Sequence, residues 1–152
     1  MVPALIERVD RWLAANRPNY YAYLRPGATH TALDAFKDRF SLRLPELFRA
    51  FYRWRDGQEP SCTASLQDNR VFSSLDEVAE TKEMLDGMID SDFEDPGWWR
   101  RGWVPFLANG GGDFLCLDGL LKGTRVNPRD AILSHRTKGR TQVACDADSP
   151  NP

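Results

Sequence analysis

The sequence predicts an α+β domain, and three observations predict it. Apolar residues recur at helical spacing through roughly the first ninety positions. From Trp103 onwards the pattern changes to short apolar runs separated by Gly, Asn, Pro and Asp. One glycine-rich turn, Asn109-Gly110-Gly111-Gly112-Asp113, joins two of those runs into a hairpin. Helices first and hairpin-connected strands afterwards are the signature of the α+β class.

The elements follow in order. Leu5, Ile6, Val9, Trp12 and Leu13 place one stripe along a helix over 3–15, with Pro3 suited to its first turn and Arg17-Pro18 ending it. The aromatic stretch 20–24, closed by Pro26-Gly27, reads as a loop with its rings laid on the domain. A second helix starts after Thr29 or Thr31, since either hydroxyl can accept from a free N–H of the first turn. Its apolar face is Leu33, Phe36 and Phe40. Pro45 suits the start of a third helix, and Glu46 complements the positive end of its dipole. Leu47, Phe48, Phe51, Tyr52 and Trp54 give that helix a wide apolar face, and Asp56-Gly57 stops it or opens the next turn. At most one short strand is expected over 63–66, and another strand end at Val71-Phe72.

Ser74 with Glu77 three residues on is a capping box for a helix over 75–89. Its apolar stripe is Leu75, Val78, Met84 or Leu85, Met88 and Ile89. Trp103–Ala108 and 114–118 form the hairpin, and further strands are expected over 124–126, 131–134 and 141–144. The helical and period-2 placements predict one core built from Phe36, Leu47, Phe51, Trp103, Phe106, Leu115 and Leu117. The 152 residues fit one domain over 1–145, followed by a polar tail over 146–152.

Composition excludes several classes. Five Trp and eight Phe are too many for a chain that never packs. No stretch approaches the ~20 apolar residues of a membrane span. No basic segment leads into an apolar run as in a secretory signal, so a cytoplasmic location is expected. A formal net charge of -2 argues against a dedicated nucleic-acid binder, whose affinity needs concentrated Lys and Arg. Cys62, Cys116 and Cys145 are widely spaced, so neither a CxxC metal site nor a redox motif is supported, and three reduced thiols are expected. His30 and His135 sit in no nucleophile–base motif. The glycines 110–112 lack the Lys of a phosphate loop and lie between two strands rather than between strand and helix. The residues therefore imply no catalytic group, metal or cofactor.

Two groups of residues resemble a known family. Leu44-Pro45-Glu46-Leu47, then Phe51-Tyr52 and Asp56-Gly57, is similar to the "LPxxL…FY…NG" signature of the SMI1/KNR4 family, also called the SUKH superfamily. Trp103-Val104-Pro105-Phe106, Asn109-Gly110-Gly111-Gly112-Asp113 and Leu115-Cys116-Leu117-Asp118 resemble its "WxPF…GGGDxLCLD" motif. The resemblance covers about residues 30–120. It implies helices packed on a mostly antiparallel sheet, with Pro45, Tyr52, Gly57, Trp103, Gly112, Asp113 and Asp118 in structural roles. Asp113 is expected to bond backbone N–H groups in the hairpin turn, and Asp118 to do so at the strand end. The resemblance also implies a non-enzymatic binding protein. Bacterial members are regarded as immunity proteins that neutralise a cognate toxin domain, often a nuclease or deaminase. Other members regulate cell-wall and signalling processes, which makes a regulatory or scaffold domain the alternative.

The surface feature that stands out is acidic. Asp76, Glu77, Glu80, Glu83, Asp86, Asp90, Asp92, Glu94 and Asp95 face a single Lys82. Nuclease toxins carry basic clefts that grip phosphates, and carboxylates steer association with such a cleft. Glu80, Glu83, Asp86, Asp90 and Asp92 are the expected contacts with a cognate protein toxin domain. Trp98 and Trp99 stand at their edge, and one of that adjacent pair is expected to be partly exposed. No nucleic acid or membrane is expected as a partner. The C-terminal region is basic instead, with Lys122, Arg125, Arg129, Arg136, Lys138 and Arg140, an asymmetry that suits head-to-tail self-association or plain solvation.

Overall fold

A computed structural model describes residues 1–89 and 98–119, together with the backbone of 132–136. The strands expected over 124–126 and 141–144, and the tail, lie outside the described residues. The described chain is α+β, as the sequence predicts. Five helices, α1 (Val2–Asn16), α2 (Pro18–Tyr21), α3 (His30–Arg39), α4 (Glu46–Trp54) and α5 (Leu75–Gly87), accompany six strands. These are β1 (Leu24–Pro26), β2 (Arg55–Gln58), β3 (Val71–Phe72), β4 (Trp103–Ala108), β5 (Asp113–Asp118) and β6 (Ile132–Arg136). β1 and β2 form an antiparallel pair, and the larger sheet runs β3-β4-β5-β6 with every neighbour antiparallel.

The helix starts follow local chemistry. Thr29 caps α3, its hydroxyl accepting from Ala32 N at 3.1 Å, which settles the choice between the two threonines. At α5 both halves of the capping box are made: Ser74 Oγ accepts from Glu77 N at 3.3 Å, and Glu77 Oε2 accepts from Ser74 N at 2.7 Å. Pro45 stands one residue earlier than expected, as the cap of α4 rather than its first helical residue.

Three segments correct or narrow the local expectations. The aromatic stretch is not a loop: Pro18 restarts the chain as the short helix α2, which buries Tyr20, and Leu24 enters β1. α4 does stop before Asp56-Gly57, but the pair lies within β2 and opens no turn, because β1 supplies a strand partner directly after α4. No strand forms over 63–66. The carbonyls of that segment are taken by side chains: Arg17 donates to Ser65 O at 2.7 Å and Leu66 O at 3.0 Å, and Gln58 Nε2 donates to Cys62 O and Ala64 O. Asp68, at φ +50°, then folds the chain back so that Gln67 bridges Arg70.

The single expected core is in fact two, one on each face of the larger sheet. Along β5, Leu115 and Leu117 pack with the main cluster of Leu33, Phe36, Tyr52, Phe72, Val78 and Val104, whereas Phe114 and Cys116 pack with Leu85, Trp99 and Trp103. Successive strand residues point to opposite faces, so a sheet covered on both sides sorts them by parity. Trp103 thus belongs to the second core, away from Phe36 and Leu117. Leu47 is half-buried and joins neither core, and Phe51 is half-buried against the main one while Tyr52 beside it is fully buried.

The N-terminal helix is held by a half-buried polar knot. Asp10 Oδ1 accepts from Trp54 Nε1 at 2.7 Å and from Tyr21 Oη at 2.9 Å, and Arg55 Nη2 stands 3.8 Å away. The Trp54 bond, with lesser help from Tyr21 and Arg55 and against burial, holds the Asp10 carboxyl below its ordinary range. A depressed folded-state pKa gives stability that is present above the unfolded value and lost as pH falls through the folded one. Asp10→Asn is therefore expected to flatten the acid limb of a thermal-stability profile below about pH 4, measured by circular dichroism. An unchanged acid limb would show that Asp10 does not couple α1 to α4.

Candidate partner-binding surface

The family-like residues converge on the first turn of α5. Tyr52 Oη donates to Ser73 O at 2.9 Å, and Asp56 Oδ1 accepts from Leu75 N at 2.7 Å. Gly57, at φ +77°, brings β2 so close that a Cβ there would lie 2.4 Å from Ser74 N. The capping box and the Asp56 bond together satisfy the Ser74, Leu75 and Glu77 N–H groups, which a helix start leaves without partners.

The far end of α5 is fixed by a residue the sequence reading passed over. Lys82 is 0% exposed. Its ammonium donates to Asp86 Oδ2 at 3.0 Å and Oδ1 at 3.3 Å and to the Arg101 carbonyl, and it lies 5.2 Å from the Phe40 ring centroid. Asp86 Oδ1 also accepts from Trp99 Nε1 at 2.8 Å. Burial pulls the Lys82 pKa down, opposed by the bonds and charge of Asp86. The available signal was its isolation: one cation in an acidic helix, four residues before an aspartate, is placed for an i,i+4 pair.

That arrangement corrects two expected contacts. Asp86 is not part of an acidic binding face, because its carboxylate is turned inward to hold Lys82 and Trp99. Trp99 is not at the surface: it is 2% exposed and meets Trp103 edge to face at 5.6 Å. Trp98 is half-buried against the same core. Asp90 and Asp92 lie outside the described residues, as does the basic C-terminal region apart from the Arg136 backbone. Glu80 and Glu83 do stand on the outward side of α5, and Asp76 shares it. Glu83 pairs with Arg39 at 2.7 Å, an exposed contact of the kind worth ~0–1 kcal/mol. Met84, expected as an alternative to Leu85 in the apolar stripe, is exposed on this same side, and Leu85 is the buried one.

The hairpin turn carries out a structural task. Asn109 Oδ1 accepts from Gly111 N at 2.8 Å and Asp113 N at 3.0 Å, so Asn109 gathers backbone N–H groups in the turn, the task expected of Asp113. The Asp113 carboxylate accepts from Asn109 Nδ2 at 2.9 Å. Gly110 and Gly112 have φ of +74° and +90°, which only glycine adopts without strain. Asp118 pairs with Trp103 at the far end of the hairpin.

The grooves offer little chemistry. An open cleft of about 350 Å³ beside the α5 start is lined by Gln58, Glu59, Cys62, Glu77 and Asn109 among others. The Gln58 amide is already committed, its Oε1 accepting from Tyr20 Oη and Phe72 N and its Nε2 donating to two carbonyls. Cys116 is fully enclosed, and burial pushes its thiol well above the ordinary range, which keeps it protonated. His30 is exposed at the first turn of α3. Among the described residues no group of three or more His, Cys, Asp and Glu is placed to hold a metal, and no helix is long and apolar enough to cross a membrane.

The geometry is therefore that of a helix pinned at both ends and open along one acidic side. No curated protein matches the chain. A match to the SMI1 / KNR4 family (SUKH-1) extends over residues 27–127, from just before α3 through the hairpin. Both stretches of sequence that resemble the family lie inside that match, and their residues are the ones that hold α5 and close the hairpin turn, so the chain belongs to the SMI1 / KNR4 family, SUKH-1.

Proposed function

We propose that this protein is a non-enzymatic immunity protein that binds a basic toxin domain through the outward side of α5. The SUKH family is known in immunity-protein contexts and is generally non-enzymatic, which supports the class of function. The observation that carries the surface is the sorting of charge on α5: Asp76, Glu80 and Glu83 face solvent, while its lone cation, Lys82, is turned inward. A helix so arranged presents one sign of charge on a rigid support, which raises the encounter rate with a basic cleft. Half-buried Trp98 supplies apolar area beyond the end of the helix.

The test begins with affinity capture from the source organism and identification of the bound protein by mass spectrometry. Surface plasmon resonance then compares the wild type with the Glu80→Lys, Glu83→Lys double variant. The association rate is expected to fall by about tenfold or more for the variant, because reversing surface charges acts first on encounter. For the wild type it is also expected to fall as salt shortens the Debye length below ~8 Å. An association rate indifferent to both changes would remove α5 from the interface.

A further inference from the structure

The acidic side of α5 has a counterpart within the same chain. Helix α1 buries only Leu13, and Val9 packs partly against the main core. Its opposite side carries Leu5 and Trp12, 44% and 56% exposed, with Arg8 between them and Arg11 on the flank. Residues 5, 8 and 12 fall on one helical stripe that holds no carboxylate: Asp10 is turned inward to Trp54 and Tyr21, and exposed Glu7 stands one turn before Arg11 on the flank. Exposed apolar side chains framed by arginine have the composition of a protein-binding patch. The α1 side lies outside the 27–127 family match.

We propose that the α1 side docks on the acidic side of α5 of a second copy of this chain, giving head-to-tail self-association. The two surfaces are complementary in charge and in apolar content. Arg8, with Arg11 beside it, meets Asp76 and Glu80, Glu83 being shared with Arg39 of its own chain, and Trp12 meets Met84, which is 57% exposed. Their lengths match, since Leu5 to Trp12 and Asp76 to Met84 each span about 10–12 Å of helix. Symmetric pairing of two α1 helices is disfavoured, because an antiparallel match of Leu5 to Trp12 brings the two Arg8 guanidinium groups together. A contact between two different surfaces is heterologous, and it adds copies as concentration rises unless the rotation closes a ring.

The inference needs no toxin and is tested on the purified chain alone, so its failure is distinct from failure of the proposed function. Sedimentation velocity is run on the wild type, on Arg8→Glu/Arg11→Glu and on Glu80→Lys/Glu83→Lys, with circular dichroism to establish that each is folded. The wild type is expected to gain mass with concentration at low salt and to lose it at high salt. Each variant alone is expected to associate at least about tenfold more weakly. An equimolar mixture of the two variants is expected to associate again, because each retains one native surface and the reversed surfaces complement each other. A wild type monomeric at every concentration and salt, variants that associate as tightly as the wild type, or a mixture that stays monomeric would each overturn the proposal.

Discussion

Lys82→Ala is expected to destabilise the fold by about 3–5 kcal/mol in urea unfolding, the cost of breaking a buried ion pair from one side. The truncation would leave the Asp86 carboxylate with its compensating cation gone and the Arg101 carbonyl without the ammonium donor. It would also open a void beside Phe40. Lys82→Met keeps most of the volume and isolates the charge, and a double-mutant cycle with Asp86→Asn separates the pair from its packing. Asparagine preserves an acceptor for Trp99 Nε1, so Asp86→Asn should cost much less in the Lys82→Met background than in the wild type.

The same variant isolates a pH effect. The Lys82 pKa is lowered by burial, so its contribution is fully present above the ordinary lysine value and lost as pH falls through the folded-state value. The stability gap between wild type and Lys82→Met should therefore shift in the wild type's favour as pH rises through that window. Additive mutations, or a loss under about 1 kcal/mol for Lys82→Ala, would show that the pair does not anchor α5.

Gly57→Ala is expected to cost about 2–4 kcal/mol, combining backbone strain at positive φ with overpacking. A Cβ there would lie 2.4 Å from Ser74 N and 2.6 Å from Ser74 Cα, both backbone atoms that move only if β2 and the start of α5 separate. That separation also strains the Asp56 bond to Leu75 N and the Tyr52 bond to Ser73 O. Gly110→Ala is the control, since it shares positive φ but has open space around it and should show the strain alone. Equal losses for the two variants would mean that the approach to Ser74 is not what requires glycine at 57.

These outcomes bear on the proposed partner binding through α5. A helix held only at one end would present Glu80 and Glu83 in many orientations, and ordering them would reduce the affinity they supply. The capping residues and the Lys82 pair fix the helix before a partner arrives, so a variant that loosens either end should weaken binding without touching the acidic side.

The sequence alone determined what depends on neighbours along the chain. The α5 capping box, a threonine cap for α3 at Thr29 or Thr31, the Asn109–Asp113 turn and the α+β order all rest on contacts within a few residues, where local geometry dominates. Tertiary structure decided what depends on distant partners. The 63–66 segment has residues suited to a strand, but its carbonyls are claimed by Arg17 and Gln58, far away or across a turn. The two cores separate because helices and loops cover both faces of one sheet, which the alternation along β5 permits but does not announce. In the acidic helix, composition counts charges without direction. Packing turned Lys82 and Asp86 inward, where low polarity makes their pairing obligatory, and left Asp76, Glu80 and Glu83 in water, where repulsion between them is screened.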